Sequence, residues 1–320
     1  MRFRSLTTVA LLLVAACRGG QGQATAISGD SCVVARPAFG AATAAERSTF
    51  AYDVSAPLNM QTEVESNHDG VETSTFSFDS PGGGRATGLL FVPATRSSLR
   101  PGLIVQHGMP SRARDVSEEA RRFAEHGAVV IALDAPFARR AGSAILFTEQ
   151  DSAEQVQLMR DLQRAVDVLR ARVDVDANRI GYVGFSYGGA MGSLLAGVER
   201  RIRTFVLTVG DGGLVSHFTG PEDASGPLAR LSCTARVRWL RAMTPIEPIR
   251  FVGGAAPIPL LLQSGKTDVL VPPDDARALQ RAASKPKTVK WYQAGHVLNA
   301  EAFHDRLSWL HQQIGTDAPR

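Results

Sequence analysis

Gly184-Phe185-Ser186-Tyr187-Gly188 is the stretch that decides the fold of this chain. The run 179–184 before Ser186 is rich in apolar residues and predicts a buried strand. The run 188–196 after it is small, free of proline and compatible with a helix. Strand, G-x-S-x-G and helix in this order indicate a nucleophile elbow, a sharp turn that exposes the serine hydroxyl. The alternative is a serine in an ordinary strand-to-helix turn.

Around this elbow, strand-like and helix-like runs alternate from about residue 73 to the end of the chain. Such alternation predicts an α/β fold, with a mostly parallel central sheet and helices on both faces. The first two strands are joined by Ser80-Pro81-Gly82-Gly83-Gly84 and should form an antiparallel hairpin. The predicted strands are 73–79, 85–92, 102–106, 128–133, 179–184, 202–209, 258–263 and 288–292. The predicted helices are 116–126, 152–172, 188–196, 229–243, 274–284 and one that carries Phe303, Leu307, Leu310 and Ile314.

The segment 210–257 interrupts the alternation between two predicted core strands. A connection of this length is commonly a lid or binding loop, so we predict a small cap insertion over the site. The alternative is a surface excursion that does not contact substrate. The predicted organisation is a signal peptide at 1–17, a tether and N-terminal extension at 18–50, and one α/β domain at 51–320.

The composition is that of a soluble globular protein, because 44% of the residues are hydrophobic and 21% are charged. The net charge is only +4, and the basic residues are dispersed among acidic ones. No basic tract with interleaved aromatic residues is present in the sequence. A nucleic-acid partner is therefore not expected.

The N-terminus has the charge-then-apolar order of a signal peptide, with Arg2 and Arg4 before the apolar run 6–16. That run is too short to cross a bilayer core of about 30 Å. It ends in Val14-Ala15-Ala16-Cys17, which resembles the lipobox of bacterial lipoproteins, so we predict lipidation at Cys17. The alternative is an ordinary signal peptide cleaved after Ala16. Both predict an exported protein, either periplasmic or held by its lipid at the membrane, and Arg18 favours the outer membrane.

Two further cysteines, Cys32 and Cys233, leave a disulfide and two separate thiols as open alternatives. No histidine pattern near either cysteine is typical of a zinc site. We expect neither a metal nor a cofactor.

The serine needs a general base, and four histidines follow it: His217, His296, His304 and His311. His304 and His311 belong to the last predicted helix, and His217 to the predicted cap. His296 follows the last predicted strand directly, at the sheet edge where ligand chemistry collects in open α/β sheets. We therefore predict that His296 is the base.

The base needs an orienting carboxylate, which in elbow enzymes lies between the serine and the histidine along the chain. Asp268 follows the strand 258–263 and occupies the same edge. Its competitors are Asp211, after the preceding strand, and Asp274 and Asp275, which better suit the start of the next helix. We predict that Asp268 holds the imidazole of His296 in the required tautomer.

The developing oxyanion needs two N–H donors, one of them from the residue after the nucleophile, Tyr187. The other should come from the loop Gln106-His107-Gly108-Met109-Pro110, where Met109 is the natural donor because proline has no N–H. We expect His107 to shape this turn by hydrogen bonding rather than to transfer protons.

With these residues in place, residues 73–315 resemble the α/β-hydrolase superfamily, and within it the branch similar to dienelactone hydrolases and prolyl oligopeptidases, which includes acetyl-xylan-type esterases. The resemblance is carried by Gln106-His107-Gly108, by 175–181, by Gly184-Phe185-Ser186-Tyr187-Gly188-Gly189, by 263–268, and by Gly295-His296. Dienelactone hydrolases use a cysteine where this chain has Ser186, so the resemblance does not imply lactone hydrolysis. Oligopeptidases carry a large N-terminal propeller that a chain of this length cannot contain.

The resemblance and the residues together predict a serine hydrolase that cleaves small carboxylic esters through an acyl-enzyme. Two other functions stay open: a serine peptidase or amidase, and a surface binding protein without catalysis on a hydrolase scaffold.

Overall fold

The computed structural model describes residues 36–94, 99–220 and 226–319. Within these residues one sheet of nine strands has the order β1-β2-β3-β5-β4-β6-β7-β8-β9. The strands are β1 Gln61–His68, β2 Val71–Asp79, β3 Arg85–Pro93, β4 Arg100–Gln106, β5 Val129–Leu133, β6 Val175–Phe185, β7 Thr204–Thr208, β8 Leu260–Gly265 and β9 Lys287–Tyr292.

The strands from β4 to β9 are all parallel, whereas β1, β2 and β3 form an antiparallel meander at one side. The predicted hairpin of β2 and β3 and the mostly parallel sheet are both confirmed. The register places Gln106 beside Gly184, and Phe185 beside Thr208. The carboxyl ends of β4, β6 and β7 therefore meet at one edge, with β8 and β9 continuing the row.

Eight α-helices accompany the sheet in the described residues. They are α1 Ala44–Ser48, α2 Ser117–Glu125, α3 Glu149–Ala171, α4 Tyr187–Val198, α5 Leu214–Phe218, α6 Cys233–Met243, α7 Pro273–Ala282 and α8 Ala300–Ile314. The helices lie in two layers, and each layer packs against the sheet through its own buried apolar cluster. One cluster includes residues of α3 and α4, such as Leu162 and Leu194, and the other includes Phe123 of α2 and Leu310 of α8. Helices thus cover both faces, as an α/β-hydrolase fold requires.

Two of the differences from the sequence prediction have local reasons. Strand β1 was not predicted, because it is exposed along its whole length and carries no alternating apolar pattern. Helix α6 begins at Cys233 rather than near residue 229, because the Ser232 side chain accepts a hydrogen bond from the Ala235 N–H and caps the helix there. The preceding residues Leu228–Arg230 form a separate 3₁₀ turn.

The described part of the N-terminal extension lies against the body of the domain. Phe50 is buried in the larger apolar cluster, edge-on to Phe251. Arg36 forms an ion pair with Asp275 of α7 at 2.6 Å. No helix among the described residues is long and apolar enough to cross a membrane. Cys17 and Cys32 lie outside the described residues, whereas Cys233 is bonded in a disulfide.

Candidate active site

Ser186 lies at the turn between β6 and α4 and has an unusual backbone conformation. Its φ of 55° and ψ of −115° lie in a region that non-glycine residues rarely adopt. The turn is held by hydrogen bonds, because the Ser186 N–H donates to the Thr208 carbonyl at 2.9 Å and its own carbonyl accepts from Ala190 at 3.0 Å. Strain of this kind at an isolated residue is typical of functional sites.

The glycines that flank Ser186 are required by close backbone approach. A Cβ atom on Gly184 would lie 2.1 Å from the Gly188 carbonyl oxygen. A Cβ on Gly188 would lie 2.3 Å from the carbonyl oxygen of Gln106 in β4. Both distances are far shorter than van der Waals contact, so a side chain at either position would collide with the backbone.

His296 and Asp268 come together across the carboxyl ends of β8 and β9. The Nδ1 atom of His296 lies 2.9 Å from Oδ2 and 3.1 Å from Oδ1 of Asp268. The same carboxylate accepts hydrogen bonds from the N–H groups of Leu270 and Val271, at 2.9 and 3.0 Å. Because a carboxylate accepts, Nδ1 donates, and Nε2 of a neutral His296 is left as a proton acceptor.

The loops that carry these two residues are joined by backbone hydrogen bonds. The N–H of Lys266 donates to the Tyr292 carbonyl at 2.9 Å, and the N–H of Thr267 donates to the Ala294 carbonyl at 3.1 Å. The Asp268 side chain is 1% exposed and that of His296 is 14% exposed. The histidine is therefore reachable from a cavity while its carboxylate partner is shielded from water.

A cavity of about 310 Å³ gathers four of the five residues predicted from the sequence for catalysis: Ser186, His296, Met109 and Tyr187. Asp268 contacts His296 at the cavity wall. The other lining residues are Gly108, Ser111, Ile145, Phe185, Asp211, Gly213, Leu214, His217, Phe218, Leu270 and Val271. Five of these, from Asp211 to Phe218, belong to the segment 210–257. The wall is largely apolar with a few polar groups, the usual character of a site for a small organic ligand.

The loop after β4 passes directly beside the serine. A Cβ atom on Gly108 would lie 3.1 Å from the Cβ of Ser186. His107 is fully buried; its Nδ1 donates to the Gly108 carbonyl at 2.7 Å and its Nε2 accepts from the Ala135 N–H at 3.0 Å. Burial lowers the pKa of His107, which keeps the ring neutral. The predicted turn-shaping role of His107 is confirmed.

The competing candidates from the sequence lie elsewhere, with one exception. Asp274 is almost fully exposed at the start of α7 and pairs with Arg277. His304 is exposed on α8, and the His311 ring contacts the Thr316 carbonyl at 2.6 Å. None of these residues lines the cavity.

The exception is a second histidine–aspartate pair inside the same cavity. His217 Nδ1 lies 2.9 Å from Oδ2 of Asp211, and both residues line the cavity. The sequence predicts Asp211 as a competing acid and His217 as a residue of the cap, and does not indicate that the two form a pair. The available signal was weak, since a histidine six residues after an aspartate is a common spacing.

A buried glutamate supports the short helix α5 that carries His217. Glu247 accepts hydrogen bonds from the N–H groups of Val215 and Ser216, at 3.1 and 2.8 Å. Its burial raises the pKa to about 8, and the nearby charge of Asp211 acts in the same direction. The position of His217 therefore depends on a side chain thirty residues further along the chain.

Nothing in the described part of the chain suggests a bound metal. No group of three or more His, Cys, Asp or Glu side chains there is arranged to hold an ion. The chemistry available in the cavity is that of serine hydroxyls, two histidine–carboxylate pairs and backbone N–H groups.

The chain matches a known protein family. Residues 114–317, about two thirds of the chain, match the sequence model of the prolyl oligopeptidase family. This range contains Ser186, Asp268 and His296. Among curated proteins, the chain is 29% identical over 168 residues to the uncharacterized protein YfhR of Escherichia coli K12. The chain spans about half the length of the curated relatives it matches.

Solved structures with a similar fold include two acetyl xylan esterases. The enzyme from Paenibacillus sp. R4 has a TM-score of 0.68 and 19% identity, over 84% of this chain and 92% of that one. The enzyme from Thermoanaerobacterium sp. JW/SL YS485 has the same TM-score and coverage with 16% identity. An S-formylglutathione hydrolase from Agrobacterium tumefaciens has a TM-score of 0.61 and 18% identity, over 80% of this chain and all of that one. At these identities the likeness concerns the fold.

Proposed function

The chain belongs to the prolyl oligopeptidase family, and from that membership we propose that it is a serine hydrolase that cleaves small carboxylic esters. The observation that carries the proposal is one cavity lined by Ser186 and His296, with Asp268 holding the far nitrogen of His296. We propose esters rather than other acyl compounds as substrates because structural neighbours with the same fold include acetyl xylan esterases.

In the proposed reaction, Ser186 Oγ attacks the carbonyl carbon of the ester while His296 Nε2 takes the hydroxyl proton. Asp268 fixes the ring and stabilises the imidazolium that forms. The N–H groups of Tyr187 and Met109 donate to the oxyanion of the tetrahedral intermediate. The intermediate collapses by breaking the bond to the alcohol oxygen, which receives the proton from His296 and departs.

The acyl-enzyme is then hydrolysed by the same groups in reverse roles. His296 takes a proton from a water molecule, whose oxygen attacks the acyl carbon, and the second tetrahedral intermediate releases Ser186 with the proton returned to its Oγ. The products are one alcohol and one carboxylic acid. Every proton moves between substrate, water, Ser186 and His296, so the sequence of steps needs no redox cofactor.

The experiment for this function compares p-nitrophenyl acetate, butyrate and octanoate with p-nitroacetanilide as the matched amide. We expect measurable ester hydrolysis and a kcat/KM for the acetate at least 100-fold above that for the anilide. The cavity of about 310 Å³ is at the small end for ligand sites, so short acyl chains should be preferred to octanoate. Equal or faster cleavage of the anilide would contradict an esterase.

A peptidase or amidase is the second candidate, because the family that the chain matches takes its name from an oligopeptidase. The same catalytic groups would serve amide cleavage, with His296 protonating an amine instead of an alkoxide. The anilide in the comparison above is the substrate that separates the two. A binding protein without catalysis is a third candidate, and hydrolysis of any substrate in the series would exclude it.

We also propose that the protein is exported and anchored to the membrane by a lipid on Cys17. The disulfide of Cys233 supports this location, because disulfides persist in oxidising compartments outside the cytoplasm. The variant Cys17→Ser of the full chain, expressed in a Gram-negative host, should move from the membrane fraction to the soluble fraction. A protein that stays in the soluble fraction with Cys17 intact would contradict the anchor.

A further inference from the structure

Exposed apolar side chains are concentrated on the surface beside the catalytic pair. Val269, Leu270 and Val297, which we call the apolar rim, are 86%, 58% and 80% exposed. They are three of the eight large apolar side chains that are exposed in the described part of the chain. A single exposed apolar side chain is normal on a protein surface, whereas a cluster marks a surface that contacts another apolar partner.

The apolar rim lies at the mouth of the cavity that holds Ser186. Val269 directly follows Asp268, and Val297 directly follows His296. Because the imidazole of His296 lies 2.9 Å from the carboxylate of Asp268, the two loops that carry the rim are neighbours. Leu270 is exposed and also lines the cavity. Whatever contacts the rim therefore lies over the entrance to the site.

The charge beside the apolar rim is positive. Lys266 is exposed on the same loop as Val269. The exposed carboxylate of Asp274, further along this segment, is paired with Arg277 at 2.8 Å. A lipid surface fits this combination, because its acyl region accepts apolar side chains and its anionic headgroups attract a lysine.

The described chain begins at the same edge of the sheet as the apolar rim. The guanidinium of Arg36 donates to Oδ1 of Asp275, near the start of α7, at 2.6 Å, and to the Ser216 carbonyl of α5 at 2.5 Å. Helix α7 follows the loop of Val269, and α5 contributes to the cavity wall. A lipid on Cys17 would therefore be connected to the domain on the face that carries the cavity mouth.

The length of the connection limits how the domain can turn. Residues 18–35 separate the proposed lipid attachment at Cys17 from Arg36. Linkers of this length span about 20–25 Å on average. A domain as long as 51–320 is roughly 45–50 Å across. Because the average span is shorter than the domain is wide, the face nearest to Arg36 stays toward the membrane.

We propose that the apolar rim docks on the membrane surface, with Val269 and Val297 among the lipid headgroups and the cavity mouth facing the bilayer. This inference rests on the proposed lipid anchor and adds a second contact with the same membrane. An anchored domain makes this contact at a high effective concentration, so a few apolar side chains are sufficient for it.

The test adds a tryptophan to the rim of the full-length protein, in vesicles of phosphatidylcholine and phosphatidylglycerol. The emission that Val297→Trp adds is obtained by subtracting the spectrum of the wild type, which has three tryptophans. Brominated lipids quench an indole that they contact. A docked rim lies about 5–10 Å deep, so these lipids should lower the added emission about two-fold or more.

The matched control is Val173→Trp. Val173 is 95% exposed and precedes β6, so it lies at the opposite edge of the sheet from the rim. The emission that this variant adds should be the same with brominated and unbrominated lipids. Adding Val269→Asp to the Val297→Trp protein should remove the quenching, because a carboxylate is repelled by anionic headgroups and is costly to bury in lipid. The Tm of each variant verifies that it is folded.

Two results would overturn the inference. One is equal emission of Val297→Trp in brominated and unbrominated vesicles. The other is shielding of its added indole from acrylamide when no vesicles are present, because protein would then cover the rim. Shielding that disappears on dilution would identify a second copy of the chain, and shielding that persists would identify a segment of the same chain.

Failure of the other proposals gives different results. Without a lipid anchor, the protein stays in the soluble fraction although Cys17 is intact, and the quenching is then measured with added vesicles. Unquenched emission in that measurement also overturns the inference. A protein without esterase activity fails to hydrolyse p-nitrophenyl acetate, whether or not the rim is quenched.

Discussion

Replacing Ser186 by alanine is expected to lower kcat for p-nitrophenyl acetate by about 10⁴- to 10⁶-fold, to the level set by the remaining groups of the site. The reason is that the strained turn places the Ser186 hydroxyl at the cavity, beside the Gly108 loop. The effect is measured as initial rates of hydrolysis, corrected with blanks that contain no enzyme. Far-UV circular dichroism and Tm verify that the variant is folded. We expect it to fold, because the change removes only one oxygen atom from the cavity wall.

The matched control is Ser193→Ala on the same helix, α4. Ser193 is buried, and its hydroxyl donates to the Gly189 carbonyl at 3.2 Å, away from the cavity lining. This variant should keep kcat within a few-fold of the wild type. A Ser186→Ala protein with more than about one tenth of wild-type kcat would contradict the assignment of the nucleophile, because loss of a nucleophile costs several orders of magnitude.

Replacing Asp268 by asparagine is expected to lower kcat by about 10⁴-fold with little change in the shape of the site. The Asp268 carboxylate accepts from His296 Nδ1 and from the N–H groups of Leu270 and Val271. The N–H groups of Leu270 and Val271 would still need an oxygen acceptor. The amide of the new asparagine would therefore keep its oxygen on them and turn its NH₂ group toward Nδ1 of His296. The ring would then carry its proton on Nε2, where it cannot accept the proton of the serine.

The control for this change is Asp274→Asn, six residues further along and 94% exposed, which should leave kcat unchanged. A loss of less than about tenfold in Asp268→Asn would be incompatible with an orienting role for this carboxylate. If Asp211→Asn lost more kcat than Asp268→Asn on p-nitrophenyl acetate, then the acid would be Asp211, the competitor that the sequence already offered.

The elbow and the sheet could be predicted because their signals are local. Glycines on both sides of Ser186 favour a sharp turn, and the structure shows why they are needed, because a Cβ atom on Gly184 or Gly188 would lie 2.1 or 2.3 Å from a backbone oxygen. The pairing of Asp268 with His296 spans 28 residues, but both follow parallel strands. Parallel strands bring their carboxyl ends to one edge of the sheet, so the positions of Asp268 and His296 after two such strands were sufficient to predict that their side chains meet.

The second pair could not be predicted because its geometry depends on contacts that are distant in sequence. Asp211 precedes the short helix α5 and His217 lies on it, and Glu247, from the far end of the insertion, accepts hydrogen bonds from two N–H groups of that helix. Neither the spacing nor the composition of 210–220 indicates this arrangement. The exposed strand β1 could not be predicted for a different reason. It is held by backbone hydrogen bonds to β2, and its side chains carry no burial pattern.

An activated nucleophile at Ser186 should react covalently with a probe directed at serine hydrolases. The folded protein is incubated with a fluorophosphonate probe, and the modified peptide is identified by mass spectrometry, with Ser186→Ala and Ser193→Ala treated in parallel. We predict one adduct, on Ser186, in the wild type and in Ser193→Ala, and none in Ser186→Ala. An unlabelled wild type, or an adduct on a different residue, would contradict the account.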